Sequence, residues 1–177
     1  MHWPDVIRTD RLNLRRPRAS DAADLYDGYA RDPDVVRYLM WRPHESVADT
    51  QTYLERVHTA WESGTEMTWV LTLGDEDRLV GMVALRPRGF KHDLGYVLAR
   101  PYWGRGIMTE AARAMVNLSL EDPQVRRVWA VCDVDNTASA RVMEKVGMTF
   151  EGVLRRWVIH PNVSPDPRDA LCYALVR

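Results

Sequence analysis

The stretch of sequence that decides the fold is residues 95–111, which read GYVLARPYWGRGIMTEA. Its first residues are typical of a strand, its centre of a tight glycine turn and its end of the first turn of a helix. The start of a helix carries unpaired backbone N–H groups and a partial positive charge, so it binds phosphate. Gly104 and Gly106 have no Cβ to keep a phosphate from the backbone, and Arg105 between them can donate a charge-assisted hydrogen bond. The predicted pyrophosphate site consists of Gly104, Arg105, Gly106, Ile107, Met108 and Thr109.

A second segment, residues 136–148, reads NTASARVMEKVGM. Together the two segments resemble the GNAT superfamily of N-acetyltransferases, which use acetyl-CoA, and in particular the branch that acetylates the N-termini of ribosomal proteins. That branch shows the pattern GYxLxxxxWGxGxxTEA followed by NxxSxxVxEKxG(F/M)xxEG. The matching residues are Gly95, Tyr96, Leu98, Trp103, Gly104, Gly106, Thr109, Glu110, Ala111, Asn136, Ser139, Val142, Glu144, Lys145, Gly147, Met148, Glu151 and Gly152. Residues 8–15 and 38–44 also look like this branch, so the resemblance covers nearly the whole chain.

Length and composition indicate a single globular domain. The 177 residues are 46% apolar and 28% charged, which suits one sizeable core, and we take residues 1–177 as one N-acetyltransferase domain. The formal net charge of −1 argues against broad binding to nucleic acid or to an anionic membrane. Residues 1–5 lack the regions of a signal peptide, and no apolar run approaches the length of a membrane span. We expect a cytoplasmic protein, monomeric or homodimeric, in which Cys132 and Cys172 are buried reduced thiols.

The order of predicted elements indicates an α/β fold. Ser20 is predicted to cap a first helix and Ser46 a second. Further helices follow Gly106 and cover residues 137–146, and residues 74–77 give a hairpin signal. Strands are predicted over residues 12–15, 68–73, 78–85, 93–98, 127–133, 150–154 and 170–176. This order agrees with the fold that the resemblance implies, a mixed and mostly antiparallel sheet of about six to seven strands flanked by helices.

The resemblance also implies which residues hold the rest of acetyl-CoA. In GNAT enzymes the strand before the glycine turn separates from its neighbour, and its free backbone groups bind the pantetheine arm. The matching residues are Val97, Leu98 and Ala99, and a backbone N–H near Leu98 is expected to polarise the thioester carbonyl. The asparagine that matches Asn136 binds the same arm in the family, and it is also the expected N-cap of the helix that follows.

Asp93 and Ser139 are the predicted catalytic residues. Several GNAT enzymes carry a catalytic glutamate on the strand where Asp93 lies, and a carboxylate beside an apolar channel can have a raised pKa and accept a proton, directly or through water. The alternative is a solvent-facing Asp93 paired with Lys91 or His92. The family's usual tyrosine acid is replaced by Met143, and the branch serine that matches Ser139 is expected to contact the departing sulfur. The alternative for Ser139 is a helix residue bonded to its own backbone.

The acceptor amine is less constrained by the sequence. Trp41 and Tyr38 are predicted to line its pocket, because GNAT acceptor sites are built by the first helices and the loop before the last strand. The acidic acceptor-site residue of related enzymes falls on Val158, close to His160. We expect acetyl transfer to a primary amine, with a peptide α-amino group preferred, and no metal, because the histidines lack metal-ligand spacing. The alternatives are a small-molecule amine acetyltransferase, for an aminoglycoside, polyamine or amino-acid-like compound, and a non-catalytic acyl-CoA-binding module.

Overall fold

A computed structural model describes residues 3–74 and 77–177. In these ranges the fold is organised around one mixed sheet. The strands in these ranges are β1 (Val6–Arg8), β2 (Leu12–Arg15), β3 (Met67–Leu73), β4 (Leu79–Arg88), β5 (Lys91–Leu98), β6 (Arg127–Asp133), β7 (Thr149–Val158) and β8 (Arg168–Val176). The α-helices are α1 (Ala22–Leu25), α2 (Pro33–Val36), α3 (Val47–Glu62), α4 (Ile107–Glu121) and α5 (Thr137–Lys145). A π-helical turn, Tyr26–Ala30, continues α1.

The sheet has the strand order β1-β2-β3-β4-β5-β6-β8-β7. Strands β5 and β6 are parallel, whereas every other neighbouring pair is antiparallel. This confirms the predicted α/β class with a mixed, mostly antiparallel sheet. The eight strands of the described residues exceed the predicted six to seven, because β1 was missed. With three residues, β1 is too short to show an alternating pattern, and its extended form depends on pairing with β2.

One of the two predicted serine N-caps agrees with the structure and the other does not. Ser46 caps α3 as predicted, with its hydroxyl accepting a hydrogen bond from the Asp49 N–H at 3.4 Å. The prediction for Ser20 is wrong, because the first helical turn begins after Arg18, whose N–H donates to the Asp21 carboxylate at 2.7 Å. Residues 75 and 76 of the predicted hairpin, and residues 1 and 2 of the N-terminal segment, lie outside the described residues.

The core lies on both faces of the central strands. Trp69 and Leu71 of β3 belong to the cluster that packs against α4, whereas Val70 between them belongs to the cluster with α1 and α3. Because both faces of β3 are covered, the strand is buried along nearly its whole length. Cys132 and Cys172 are buried free thiols, as predicted. Within the described ranges, no helix combines the length and the apolar character needed to cross a membrane.

The sheet opens between β5 and β6. These strands pair over Lys91–Asp93 and Arg127–Trp129 and then diverge, while β5 stays paired with β4 as far as Leu98. From Leu94 onward, the edge of β5 that would face β6 has no strand partner there. The glycine turn and the start of α4 follow directly, so the gap between the strands lies beside a helix N-terminus.

Candidate active site

A cleft of about 870 Å³ occupies the opening between β5 and β6 and extends towards α2 and α3. We call that end the acceptor end, because the residues predicted to line the acceptor pocket, Trp41 and Tyr38, lie there. The sequence-predicted residues that line it are Asp93, Val97, Leu98, Gly104, Gly106, Ile107, Met108, Thr109, Asn136 and Ser139. Two predicted cofactor residues lie elsewhere. Ala99 packs in the core, and the Arg105 guanidinium lies over the Tyr102 ring, with its Cζ 5.8 Å from the ring centroid.

The glycine turn has the geometry of an anion cradle. Gly104 and Gly106 both have φ of +73°, a conformation that a side chain would strain. Gly106 is the N-cap of α4, and its carbonyl accepts the hydrogen bond of the Glu110 N–H at 3.0 Å. The N–H groups of residues 107–109 therefore precede the first bond of the helix and stay free to bind a phosphate.

The turn between β1 and β2 braces this cradle. Arg11 donates from Nη1 to the Arg105 carbonyl at 3.0 Å and from Nε to the Glu110 carboxylate at 2.6 Å. Thr9 donates to the same carboxylate at 2.6 Å. Burial raises the pKa of Glu110, but these hydrogen bonds outweigh it and leave the pKa lowered. Thr9 and Arg11 belong to an N-terminal segment whose likeness to the family was clear from the sequence, whereas their contact with the cradle was not.

The end of β5 offers a backbone donor to the gap. The Ala99 N–H donates to the Val80 carbonyl on β4 at 2.8 Å. Because backbone groups alternate sides along an antiparallel strand, the N–H of Leu98 points the other way, towards the opening. The Leu98 carbonyl accepts a hydrogen bond from the Trp103 indole at 2.7 Å, which holds the strand end against the glycine turn.

Asp93 lies in an ion-pair cluster at the acceptor end. Its Oδ2 accepts a hydrogen bond from Arg86 Nη1 at 3.3 Å, so its partner is neither Lys91 nor His92. Arg86 in turn donates from Nε to Glu66 Oε2 at 2.5 Å. Burial raises the pKa of the Asp93 carboxyl, and the arginine offsets this in part. Sequence reasoning missed Glu66 and Arg86, because strand pairing brings them to Asp93 from β4 and from the residue before β3.

Ser139 meets a tyrosine from β5. The Tyr96 hydroxyl lies 2.8 Å from Ser139 Oγ and 3.1 Å from the Ser139 carbonyl oxygen. The Ser139 N–H donates to Asn136 Oδ1 at 3.1 Å, which confirms Asn136 as the N-cap of α5. Tyr96 was missed as a site residue, although it belongs to the Gly-Tyr pair that opens the quoted motif. Its hydroxyl comes from the strand beside the gap, whereas the tyrosine usual in the family comes from α5.

The loop before β8 closes the acceptor end of the cleft. The Asn162 side-chain amide donates to the carbonyls of Val36 and Trp41 at 2.8 and 2.7 Å, which ties this loop to the segment after α2. Trp41 and Tyr38 both line the cleft, as do Val158 and His160. The walls at this end are therefore aromatic and apolar around the charged cluster of Asp93.

A family model described as an acetyltransferase (GNAT) domain matches residues 11–149. The chain belongs to the GNAT family. The matched range includes Arg11, the sheet opening, the glycine turn and α5.

Several known proteins are similar to this chain in sequence or in fold. YkkB of Bacillus subtilis is 31% identical over 166 residues, which cover 89% of this chain and 92% of that protein. The [ribosomal protein uS5]-alanine N-acetyltransferase of Escherichia coli is 25% identical over 162 residues, covering 86% of this chain and 82% of that enzyme. The microcin C7 self-immunity acetyltransferase MccE, solved in complex with acetyl-CoA and AMP, has a TM-score of 0.88 at 22% identity, covering 99% of this chain and 98% of that one.

The residues of the cleft fit acetyl-CoA, the cosubstrate of the GNAT family. The free N–H groups after Gly106 suit its pyrophosphate, and the unpaired edge of β5 suits its amide-bearing arm. In the part of the chain that the structure describes, no group of three or more His, Cys, Asp or Glu side chains is placed to hold a metal ion.

We predict that Gly106→Glu abolishes acetyl-CoA binding, because its side chain and charge would fill the space over the free N–H groups. Gly64→Glu is a matched control, since Gly64 has a φ of +69° but lies after α3 and away from the cleft. Titration calorimetry on both folded variants makes the comparison. Unchanged affinity in Gly106→Glu would contradict the assignment of the cradle.

Proposed function

We propose that residues 1–177 form one N-acetyltransferase domain that moves the acetyl group of acetyl-CoA to the α-amino group of a peptide or protein N-terminus. The observation that carries this proposal is one cleft that joins a phosphate-binding turn, an unpaired strand edge and a carboxylate of raised pKa. A relative named for acetylating an alanine of a ribosomal protein supports the choice of acceptor.

In this proposal, the backbone does most of the binding of acetyl-CoA. The N–H groups of residues 107–109 bind the pyrophosphate, and Arg11 keeps the turn in shape through its hydrogen bond to the Arg105 carbonyl. The Leu98 N–H donates to the thioester oxygen, where negative charge develops during the reaction. Holding the thioester beside the amine supplies a large part of the acceleration.

Asp93 and Ser139 complete the chemistry from opposite sides of the gap. Asp93 accepts the proton that the amine loses as its nitrogen forms the new C–N bond and the C–S bond breaks. The sulfur leaves with the electron pair of the broken bond and takes a proton from solvent afterwards. In this arrangement the Tyr96 hydroxyl donates to Ser139 Oγ, which leaves the Ser139 proton free to form a hydrogen bond to the sulfur, and a thiolate of pKa about 8.5 needs no stronger acid.

An α-amino group suits this site better than a lysine side chain. The α-amino group has a pKa of about 7.7–8.0 and is partly neutral near pH 7, whereas a lysine of pKa about 10.4 is almost wholly charged. The Asp93 carboxylate accepts a hydrogen bond from Arg86, which makes it a weaker base. An amine that loses its proton readily is therefore the better match.

We predict that Asp93→Asn lowers the chemical rate by roughly 100-fold or less, while the affinity for acetyl-CoA stays nearly unchanged. Wild-type activity should fall as the pH drops through the raised pKa of Asp93, because the protonated acid accepts no proton. The deficit of the variant should shrink at higher pH, where more of the amine is neutral. Pre-steady-state rates across pH, with Asp27→Asn as a surface control, test this, and full activity of Asp93→Asn at neutral pH would make Asp93 structural.

A matched pair of peptides tests the acceptor. One peptide has a free N-terminus and blocked lysines, and the other has a blocked N-terminus and free lysines, at equal concentration and neutral pH. We predict faster release of CoA thiol with the free N-terminus, because its α-amine is more often neutral. Faster turnover of the lysine peptide would refute the preference. Rapid turnover of a small amine alone would favour a small-molecule enzyme, and binding of acetyl-CoA without transfer to any amine would favour a non-catalytic module.

A further inference from the structure

An arginine beside Asp93 has a hydrogen-bond donor that the fold does not use. Arg86 of β4 lies opposite Asp93 of β5 in the strand register. Its Nε donates to Glu66 and its Nη1 donates to Asp93. Among residues 3–74 and 77–177, no acceptor takes a hydrogen bond from Nη2. The Arg86 side chain is 26% exposed and lines the cleft, so Nη2 is available to a bound molecule.

Gly95 makes room for this guanidinium. A Cβ at Gly95 would lie 2.9 Å from Arg86 Nη1 and 3.2 Å from Nη2, so the flexible end of the Arg86 side chain would have to shift. The φ of Gly95 is not in the left-handed region, so the backbone does not require glycine there. The missing Cβ of Gly95 therefore leaves the space in which the Arg86 guanidinium lies beside Asp93.

Glu66 fixes the direction of the free donor. It binds Nε on one side of the planar guanidinium while Asp93 binds Nη1 on the other, so the orientation of Nη2 is set. Thr68 holds the second Glu66 oxygen with a hydrogen bond of 3.0 Å. Burial raises the pKa of Asp93, and Arg86, which also pairs with Glu66, offsets this only in part.

We propose that Asp93 and Arg86 together recognise an α-aminoacyl unit. Asp93 accepts a hydrogen bond from the amine, and Arg86 Nη2 donates to the carbonyl oxygen attached to the same α-carbon. This assignment rests on the proposed function, since it takes the amine at Asp93 as the group that is acetylated. Arg86 is then a specificity-determining residue that selects α-amines over other primary amines.

The neighbouring charges match the chemistry of this unit. Arg86 and Asp93 are in direct contact, and the ammonium and carbonyl of one amino acid are likewise adjacent. A peptide N-terminus, an amino-acid amide and a free amino acid share this pairing. The terminal amine of a lysine side chain or a polyamine has no carbonyl close enough to reach Nη2. The site therefore discriminates by an unsatisfied arginine donor as well as by amine basicity.

Four small acceptors test the proposal with the purified full chain and acetyl-CoA. Glycinamide, glycine and a glycine-initiated peptide carry the unit, and propargylamine is a primary amine without a carbonyl whose basicity is similar to that of glycinamide. We expect the wild type to acetylate glycinamide with a kcat/KM about tenfold or more above that for propargylamine. Rates are compared per neutral amine, because free glycine is more basic than the peptide. On that scale, faster turnover of glycine identifies a free amino acid as the source of the unit, and faster turnover of the peptide identifies a peptide N-terminus; both results support the shared recognition.

Two variants test whether Arg86 recognises the carbonyl oxygen. Arg86→Lys keeps the charge but loses the fork of donors, and Gly95→Ala displaces the guanidinium without removing it. Both should lower kcat/KM for glycinamide by roughly 10-fold to 100-fold more than that for propargylamine, with an unchanged KM for acetyl-CoA, because any change at Asp93 acts on both amines alike. Because a variant leaves the basicity of each amine unchanged, the ratio of the two losses reports recognition of the carbonyl. Arg126→Gln, on the exposed surface, is the matched control.

Each outcome separates this proposal from the proposed function. Equal wild-type turnover of glycinamide and propargylamine, or an equal loss on both in Arg86→Lys and Gly95→Ala, overturns the role of Arg86 and leaves acetyl transfer intact. Failure of the wild type to acetylate any of the three α-amines, while it acetylates another amine, overturns the proposed function itself. If circular dichroism shows that Arg86→Lys is unfolded, the proposal is still tested by Gly95→Ala and by the ratio of wild-type kcat/KM for glycinamide to that for propargylamine.

Discussion

The end of pairing between β5 and β6 after Asp93 is the constraint on which the rest of the site depends. A sheet normally satisfies the backbone groups of its central strands, so an unpaired edge in the middle of a sheet needs other partners. Here the opening exposes the Leu98 N–H and lets the cleft pass between the two faces of the sheet. The glycine turn and α4 follow at once, which places three more free N–H groups beside the same opening.

The opening also joins groups that a closed sheet would keep apart. Asp93 and Ser139 belong to different elements, and the side chains of Asp93 and Tyr96 point to opposite faces of β5 because they are an odd number of residues apart. In our proposal, the amine therefore reaches the thioester from the face of Arg86 and Glu66, and the sulfur lies on the face of Tyr96 and Ser139. Each side has its own polar cluster, which assigns proton acceptance and sulfur stabilisation to separate residues.

Local signals predicted much of the fold and the cofactor end of the cleft. The strand at Arg127–Asp133, the caps at Ser46 and Asn136 and the glycine turn depend on neighbouring residues, so the sequence shows them directly. Arg86 could not be identified from neighbouring residues in the sequence. Its proposed role depends on the strand pairing that places it beside Asp93 and on the space left by the missing Cβ of Gly95. Strand β1 was missed for a related reason, because its extended conformation depends on its pairing with β2.

Amide hydrogen exchange followed by NMR, with and without acetyl-CoA, tests the central claim most directly. The account predicts that acetyl-CoA slows exchange at Leu98 and at residues 107–109, whose N–H groups have no strand or helix partner in the free protein. Exchange at Ala99 should change little, because its N–H already donates to Val80 on β4. Unchanged exchange at Leu98 and at residues 107–109, with protection appearing elsewhere on the molecule, would contradict the account.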